Sequence, residues 1–298
     1  MLFKEILLQK PNFFILGAPK CGTSSLAAWL GEHRDIFISS VKEPHFFNTD
    51  DRRVVNTLEH YESFFRDAGP QHMAVGEASV WYLSSRNAVT GILQYAPDAR
   101  FIVMLRNPIE MAPALHAEMV FTGVENTQDF ATAWSLQEER RQGRRLPALC
   151  WEPRRLQYGD ACSLGAQLER LLSIVPRQRV LPIFLDDIRQ DARREYVRVL
   201  EFLGIADDGR RDFPVHNVSK VLRWPLLPQL ANAVLLVKTK LGITGGLGLW
   251  SRIEAGNRLE KSRDALSADM TATLKQYFED DILRLGRLLN RDMQAWLT

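Results

Sequence analysis

One short stretch near the start of the chain, residues 12–30, constrains the fold more than any other. Its first part, Asn12 to Leu16, is a run of apolar residues that is typical of a buried strand. Glycine and proline in 17–22 end this strand, and a helical pattern opens at Thr23. This order predicts an anion site, because the unpaired N–H groups and the dipole at a helix N-terminus favour a negative charge.

The loop between the strand and the helix has two glycines, Gly17 and Gly22, spaced as in an ATP- or GTP-binding P-loop. That P-loop continues with a lysine and a serine or threonine that holds Mg²⁺. Here Thr23 and Ser24 follow the second glycine, and the lysine is Lys20, inside the loop. The pattern therefore places a cation in the middle of the loop and gives no Mg²⁺ position. The simpler alternative is a turn between strand and helix with a surface lysine.

The segment from Pro19 to Leu26 resembles the 5′-phosphosulfate loop of the PAPS-dependent sulfotransferases, P-K-x-G-T-[ST]-[ST]-L, and it fits without a gap. PAPS is 3′-phosphoadenosine-5′-phosphosulfate, and its product is PAP. The resemblance implies that PAPS is bound here without a metal and that Lys20 steadies the leaving group. The residues that would bind the phosphosulfate are Pro19, Lys20, Cys21, Gly22, Thr23, Ser24 and Ser25.

A second loop, Lys-Glu-Pro-His-Phe-Phe at 42–47, carries a candidate base. Pro44 keeps Glu43 out of helical geometry. The stretch resembles the segment with the catalytic glutamate in heparan-sulfate-type sulfotransferases, which implies that Glu43 takes the proton from the acceptor. A general base contributes about 10²–10⁴-fold to such a reaction. Glu43 could otherwise be a solvated loop residue, and His45 is a second base, an acceptor contact or a structural histidine.

The strand at 73–76 is followed by a second acidic candidate, Glu77. The family often shows E-K-[ST]-x-x-Y at this point, and the chain matches it at Glu77, Ser79 and Tyr82, while Ala78 replaces the lysine. The resemblance makes Glu77 a rival for the role of base. The alternative is that its carboxylate only bonds to the loop backbone.

The clearest buried strand, residues 100–105, delivers Arg106 at its carboxyl end, where open α/β sheets bind ligands. The sequence here resembles the family motif R-[DN]-P-x-x-R-x-x-S, which implies that Arg106 binds the 3′-phosphate. Met111 and Ala114 stand in place of the second arginine and the serine. One lost hydrogen bond to a charged group costs about 1.5–3 kcal/mol. A later basic stretch could compensate, or it is an exposed linker; its candidates are Ser219, Lys220 and Arg223.

The order of strands and helices predicts the fold class. Strands near 12–16, 73–76, 100–105 and 179–185, separated by helical patterns, predict a three-layer α/β P-loop-like fold. Its central sheet is mainly parallel, with helices on both faces. The 298 residues are enough for a single sulfotransferase domain over 1–298, with a possible helical insert at 225–262. Pro182 predicts an edge position for the last strand, and an amphipathic helix is expected at 270–297.

Composition narrows the function and the location. The net charge of +2 does not indicate nucleic-acid binding. Three cysteines without a CxxC pair favour a reducing compartment over a disulfide framework. No run reaches the roughly 18 apolar residues of a membrane span, and the N-terminus lacks the features of a signal peptide. We expect a cytoplasmic protein.

These features together favour a sulfotransferase acting on a hydroxyl or amine of a small-molecule, lipid or carbohydrate acceptor. The basic-edged apolar stretch at 226–250 could touch a membrane surface, or it packs on the core. A catalytically idle PAP-binding protein is the alternative that Ala78, Met111 and Ala114 favour. A P-loop kinase is a weaker alternative, since the Gly-Lys-Ser/Thr sequence is missing. The oligomeric state is open.

Overall fold

The computed structural model describes residues 9–51, 54–148, 150, 152–216, 220–222, 258–260 and 265–298. Contacts divide the chain into two compact units. The first unit contains residues 1–107, 163–216 and 280–298, and the second contains 108–162 and 217–279. The expectation of a single domain stays a prediction. The expected insert at 225–262 and the stretch at 226–250 lie outside the described residues, apart from 258–260.

The first unit is built on a five-stranded sheet in the order β2-β3-β1-β4-β5, in which every pair is parallel. The predicted α/β class with its parallel sheet is confirmed. The strand that contains Pro182 lies at the sheet edge, as its missing N–H donor requires. The strands are β1 (Phe13–Gly17), β2 (Ile36–Ile38), β3 (Ala74–Ser79), β4 (Arg100–Leu105) and β5 (Val180–Phe184).

Helices of the first unit lie around this sheet, and other helices make up much of the second unit. They are α1 (Thr23–Gly31), α2 (Leu58–Glu62), α3 (Ala88–Tyr95), α4 (Pro108–Phe121), α5 (Phe130–Ser135), α6 (Gln137–Arg141), α7 (Tyr158–Cys162), α8 (Leu164–Ile174), α9 (Leu185–Gln190), α10 (Ala192–Leu203) and α11 (Ala268–Leu289). In the second unit, β6 (Lys220–Leu222) pairs antiparallel with β7 (Arg258–Glu260). No helix in the described part of the chain has the length and hydropathy needed to cross a membrane.

Two neighbouring strands at the centre of the sheet, β1 and β4, are apolar along their buried residues, because strands in a parallel sheet are covered on both faces. Phe13 to Leu16 of β1 and Phe101 to Leu105 of β4 are completely buried. The ring of Phe14 lies 6.1 Å from the rings of both Phe101 and Phe47. This packing connects the central strand to the loop at 42–47, because Phe47 belongs to that loop.

One helical prediction fails at its end. Elsewhere, α2 is followed directly by a short 3₁₀ turn, Ser63–Phe65. The expected helix over 270–297 stops at Leu289, because Asn290 adopts a left-handed conformation with φ 49°. The Arg291 N–H then donates to the Gly286 carbonyl at 3.0 Å, which closes the helix end in a Schellman motif.

The second unit encloses a buried ion pair. Arg140 donates two hydrogen bonds to Glu125, at 2.6 and 2.8 Å, and both side chains are 0% exposed. Tyr158 donates from its hydroxyl to Glu125 Oε2 at 2.7 Å, and the N–H groups of Asn126 and Thr127 donate to Glu125 Oε1 at 2.9 and 2.8 Å. Burial raises the pKa of Glu125, but the hydrogen bonds and charge of Arg140 outweigh it and lower the pKa. The carboxylate is therefore held in its charged form.

Candidate active site

The loop after β1 is a tight turn that only particular residues can form. A Cβ on Gly17 would lie 2.1 Å from Thr23 Cγ2, so this position requires glycine. Gly22 has φ 90° and ψ 11° and is the N-cap of α1. Lys20 also has a positive φ, 67°, a conformation that costs a non-glycine residue about 1–3 kcal/mol. Such strain persists where surrounding contacts over-determine it, which is a common property of ligand-binding loops.

The start of α1 has the chemistry of an anion site. Gly22 has no side chain with which to cap the first N–H groups of the helix, and the first turn contains no acidic residue. The first N–H groups of a helix have no carbonyl partner within it, and the helix dipole favours an anion there. Thr23 and Ser25 are buried, and Ser24 is half-buried.

The Ser25 hydroxyl bonds the backbone of a distant segment, at His216. Its Oγ accepts from the His216 N–H at 2.9 Å and lies 3.3 Å from the His216 carbonyl oxygen. The N–H of Ser25 donates to the Gly22 carbonyl at 3.1 Å. One turn later, Trp29 Nε1 donates to the Pro214 carbonyl at 3.0 Å. These contacts dock the segment after α10 on α1, so the assignment of Ser25 to the cofactor stays a prediction.

Arg106 follows β4, the neighbour of β1, and it meets the loop directly. Its Nη1 donates to the Lys20 carbonyl oxygen at 3.0 Å. Cys21 lies beside these residues and is fully buried. Burial raises the pKa of the Cys21 thiol to about 12, although the charge of Arg106 opposes this. Cys21 is therefore a neutral residue that fills space under the loop.

The loop at 42–47 is attached to the end of β3, on the other side of β1. The Glu43 N–H donates to the Ala78 carbonyl at 3.1 Å. Glu43 Oε2 lies 3.4 Å from His45 Nε2, and Glu43 Oε1 pairs with Lys42 Nζ. Burial raises the pKa of Glu43, but the hydrogen bond of His45 and the charge of Lys42 outweigh it and lower the pKa to about 2.

The His45 ring contacts the Glu43 carboxylate through one of its two nitrogens. Its Nε2 faces Glu43, while its Nδ1 is buried and has no hydrogen-bond partner among the described residues. Neither nitrogen is presented to a second group there. This geometry favours His45 as a residue that orients Glu43 over a separate base, and its role stays a prediction.

Glu77, the second acidic candidate, is 0% exposed and is surrounded by hydroxyl groups. It accepts hydrogen bonds from Tyr61 and Tyr82 on Oε1 and from Ser79 on Oε2. Burial raises the pKa of Glu77 to about 7, although these three hydrogen bonds oppose the effect. Tyr61 was not singled out from the sequence, because no local pattern pairs it with a carboxylate 16 positions away.

The structure thus brings most predicted site residues to the carboxyl ends of the parallel strands. Lys20 follows β1, Arg106 follows β4, and Glu43 is bound to the end of β3. Lys220 begins β6, where its backbone pairs with Glu260. Ser219 and Arg223 lie outside the described residues. Within the described ranges, no group of three or more His, Cys, Asp or Glu side chains is arranged to hold a metal ion.

Comparison with known proteins identifies the family. A family model described as the sulfotransferase domain matches residues 10–220. Human carbohydrate sulfotransferase 15 is 26% identical over 251 residues, which is 65% of this chain and 44% of that protein. Human heparan sulfate glucosamine 3-O-sulfotransferase 3A1 is 26% identical over 208 residues, 69% of this chain and 47% of that protein. The chain therefore spans less than half the length of these curated relatives.

Solved structures agree with the sequence comparison. A sulfotransferase from Alicyclobacillus acidocaldarius superposes with a TM-score of 0.73 at 26% identity, covering 97% of this chain and all of that one. A mouse sulfotransferase complexed with PAP shares the fold, with a TM-score of 0.51 at 13% identity over 95% of this chain and 88% of that one. Because the family model matches well over half of the 298 residues, the chain belongs to the sulfotransferase family.

Proposed function

We propose that the protein transfers a sulfuryl group from PAPS to a hydroxyl or amine acceptor by in-line displacement. The hydrogen bond from Arg106 Nη1 to the Lys20 carbonyl, 3.0 Å, is the observation that carries the proposal. It ties together the ends of two adjacent strands, each of which supplies one cation of the predicted donor site. An in-line displacement with charge on the transferred group depends mainly on such positioning and on cations.

The residues at this edge of the sheet fit the anionic ends of the donor. PAPS supplies the activated sulfuryl group when it is bound. Lys20 and the first N–H groups of α1 would hold its 5′-phosphosulfate, and Arg106 would hold its 3′-phosphate. The turn at Gly17 and Gly22 leaves no bulky side chain between an anion and the backbone. A fixed lysine there would stabilise the negative charge that the leaving phosphate gains.

Glu43 is the base in this proposal. Its side chain is 28% exposed, so an acceptor can reach it, whereas Glu77 is fully enclosed. With a pKa of about 2, Glu43 is ionised at neutral pH and ready to accept a proton. It is a weak base while His45 and Lys42 are both bonded to it. Lys42 is 44% exposed, so it can move into solvent when an acceptor binds, and the pKa of Glu43 then rises toward the value that general-base catalysis favours.

The names of the relatives suggest which acceptors to test first. The names of two relatives specify a carbohydrate and a heparan sulfate glucosamine. We therefore place sugar hydroxyls and amines first among the acceptors to be tested, ahead of lipid and other small-molecule acceptors. The cytoplasmic location stays a prediction.

The idle PAP-binding alternative rests on three residues. Met111 and Ala114 are completely buried, and Ala78 is nearly so, and none of them offers a charged or hydroxyl group where the family motifs have one. If this alternative holds, PAP binds but no acceptor is sulfated.

The deciding experiment is a transfer screen with ³⁵S-labelled PAPS over sugar, lipid and small-molecule acceptors. We expect labelled product from the wild-type chain and none from Lys20→Ala. Arg34→Ala is the matched control, because it removes a cation whose side chain is 89% exposed in the same unit. Calorimetry with PAP and with ATP–Mg²⁺ separates the sulfotransferase from a kinase. Binding of PAP without any labelled product would favour the idle protein.

A further inference from the structure

The geometry points to Glu77 as a positioning residue that fixes the loop carrying Glu43, through the hydroxyl groups of Ser79 and Tyr82. This inference rests on the proposed function, in which Glu43 is the base. Glu77 is then not the base that its carboxylate first suggests. It would affect the acceptor only by holding the shape of the loop at 42–47.

The first step is the enclosure of the Glu77 carboxylate. Its Oε1 accepts from the Tyr61 hydroxyl at 2.9 Å and from the Tyr82 hydroxyl at 3.1 Å. Its Oε2 accepts from Ser79 Oγ at 2.7 Å. The residue is 0% exposed. An acceptor hydroxyl would have to displace one of these donors to reach it, so Glu77 is poorly placed to take a proton from a substrate.

The second step is the connection from these hydroxyls to the loop. Ser79 Oγ accepts from the His45 N–H at 3.2 Å, and the Tyr82 hydroxyl accepts from the Phe47 N–H at 3.2 Å. A hydroxyl has one proton. When Ser79 and Tyr82 donate that proton to Glu77, their lone pairs are left to accept from the two loop N–H groups. The carboxylate therefore orients both hydroxyls so that their lone pairs face the two N–H groups that hold the loop.

The third step is the strain in the loop. Glu43 has φ 57° and His45 has φ 51°, and neither is glycine. Backbone in this region is kept in place by surrounding contacts. The hydrogen bonds at His45 and Phe47 lie on both sides of Phe46, whose ring stacks on Tyr61 with centroids 4.7 Å apart. Tyr61 thus contacts the carboxylate through its hydroxyl and the loop through its ring.

The exchange of Glu77 for glutamine tests this chain of contacts. Glutamine keeps the shape of the side chain but puts an NH₂ donor in place of one oxygen. At least one hydroxyl must then turn its proton away from residue 77. A hydroxyl that points its proton at a loop N–H no longer accepts from it, so the loop loses a hydrogen bond while the fold of the strand is kept.

The experiment measures amide hydrogen exchange at His45 and Phe47 in the full chain. We expect Ser79→Ala to speed exchange at His45 and Tyr82→Phe to speed exchange at Phe47, each by about tenfold, which matches the loss of one hydrogen bond. Glu77→Gln should speed exchange at one or both positions. Tyr95→Phe is the matched control, since Tyr95 packs on Phe47 but its hydroxyl is bonded to Glu62.

Sulfuryl transfer and PAP binding provide the second readout. We expect Glu77→Gln to lower kcat while PAP affinity changes less than about twofold, and Glu77→Asp to restore part of the turnover. Glu43→Gln should lower kcat without faster exchange at His45 or Phe47. Loss of turnover in Glu77→Gln with unchanged exchange at both positions would overturn the inference and make Glu77 the base.

The two proposals fail in different ways. If the wild-type chain sulfates no acceptor but the three variants change exchange as expected, the positioning role stands and the proposed activity fails. If transfer occurs but exchange at His45 and Phe47 is the same in Ser79→Ala and Tyr82→Phe as in Tyr95→Phe, the positioning role fails and the activity stands. Ser79→Ala and Tyr82→Phe also keep the test possible if Glu77→Gln does not fold.

Discussion

Arg106 donates a hydrogen bond to the carbonyl oxygen of Lys20, with 3.0 Å between the two atoms. The two residues are 86 positions apart in the chain and meet because β1 and β4 are neighbouring parallel strands. Parallel strands end at the same edge of a sheet, which is where such sheets bind their ligands. The contact makes the position of each cation depend on the other.

The first prediction concerns Arg106. Arg106→Lys keeps the positive charge but loses the planar guanidinium, which can bond the Lys20 carbonyl and a phosphate at the same time. We expect PAP to bind about 10–100-fold more weakly, the effect of losing one hydrogen bond to a charged group. Calorimetric titration with PAP measures this. Arg34→Lys is the control, and equal affinities for Arg106→Lys and wild type would contradict the assignment.

The second prediction concerns Glu43 and its neighbour Lys42. Glu43→Gln should lower kcat about 10²–10⁴-fold, as expected for the loss of a general base, and leave PAP affinity unchanged. Lys42→Met removes a charge that lowers the pKa of Glu43. It should therefore raise the pKa of Glu43 and move the acid limb of the kcat/KM profile to higher pH. An acid limb that stays in place in Lys42→Met would assign that limb to another group.

The third prediction is the pH dependence of stability. The folded-state pKa of Glu43 is about 2, below its ordinary value of 4.5, so its ionised form stabilises the fold. This contribution is fully present above pH 4.5 and disappears as the pH falls toward 2. The shift corresponds to at most about 3 kcal/mol, and partial exposure reduces it. Urea unfolding between pH 6 and 3 should show the difference between wild type and Glu43→Gln shrink with falling pH.

The contribution of Glu77 to the free energy of unfolding should change with pH in the opposite direction to that of Glu43. Urea unfolding of Glu77→Gln over the same pH range therefore distinguishes the two carboxylates. Its folded-state pKa is raised to about 7, so the folded protein binds a proton that the unfolded chain has released between pH 4.5 and 7. Its contribution therefore becomes less favourable as the pH rises through this window. If the stability of Glu77→Gln changed with pH in the same way as that of Glu43→Gln, burial would not be the dominant influence on the pKa of Glu77.

The elements of the fold that are coded locally were predictable from sequence. Gly17 and Gly22 lie at the end of a buried strand and at the start of a helix, and Arg106 directly follows an apolar run. The places of these residues in the fold therefore follow from patterns of a few residues. The end of α11 was not predictable in this way. The amphipathic pattern continues past Leu289, and only the left-handed conformation of Asn290 ends the helix.

The contacts of the candidate site were less predictable, because they join residues that are distant in the chain. The assignment of Ser25 to the phosphosulfate stays a prediction, and nothing in the sequence indicated that its hydroxyl bonds the backbone of His216, 191 positions away. Glu77 has Tyr61 and Tyr82 as partners; the family motif included Tyr82, but no local pattern links Glu77 to Tyr61, which lies 16 positions away. A residue type in a motif indicates what a side chain can do, while burial and long-range partners decide which of these things it does.

The last prediction concerns the buried ion pair of the second unit. Removing one partner of a buried pair leaves an uncompensated charge, which costs about 3–5 kcal/mol. Arg140→Met should therefore lower the free energy of unfolding by that amount, as measured in urea. The double variant Arg140→Met with Glu125→Leu removes both charges and should recover part of the loss, because two apolar side chains leave no charge to desolvate. The Tyr158 hydroxyl and the N–H groups of Asn126 and Thr127 would then lose their acceptor, so we expect recovery to be incomplete.

Arg141→Met is the matched control for this experiment. Arg141 is the next residue on α6, and its side chain is 48% exposed in a surface pair with Glu138. Exposed pairs of this kind contribute about 0–1 kcal/mol, so the control should unfold nearly as wild type does. A double variant no more stable than Arg140→Met alone would show that the arginine acts through its packing, since restoring charge balance would then bring no recovery.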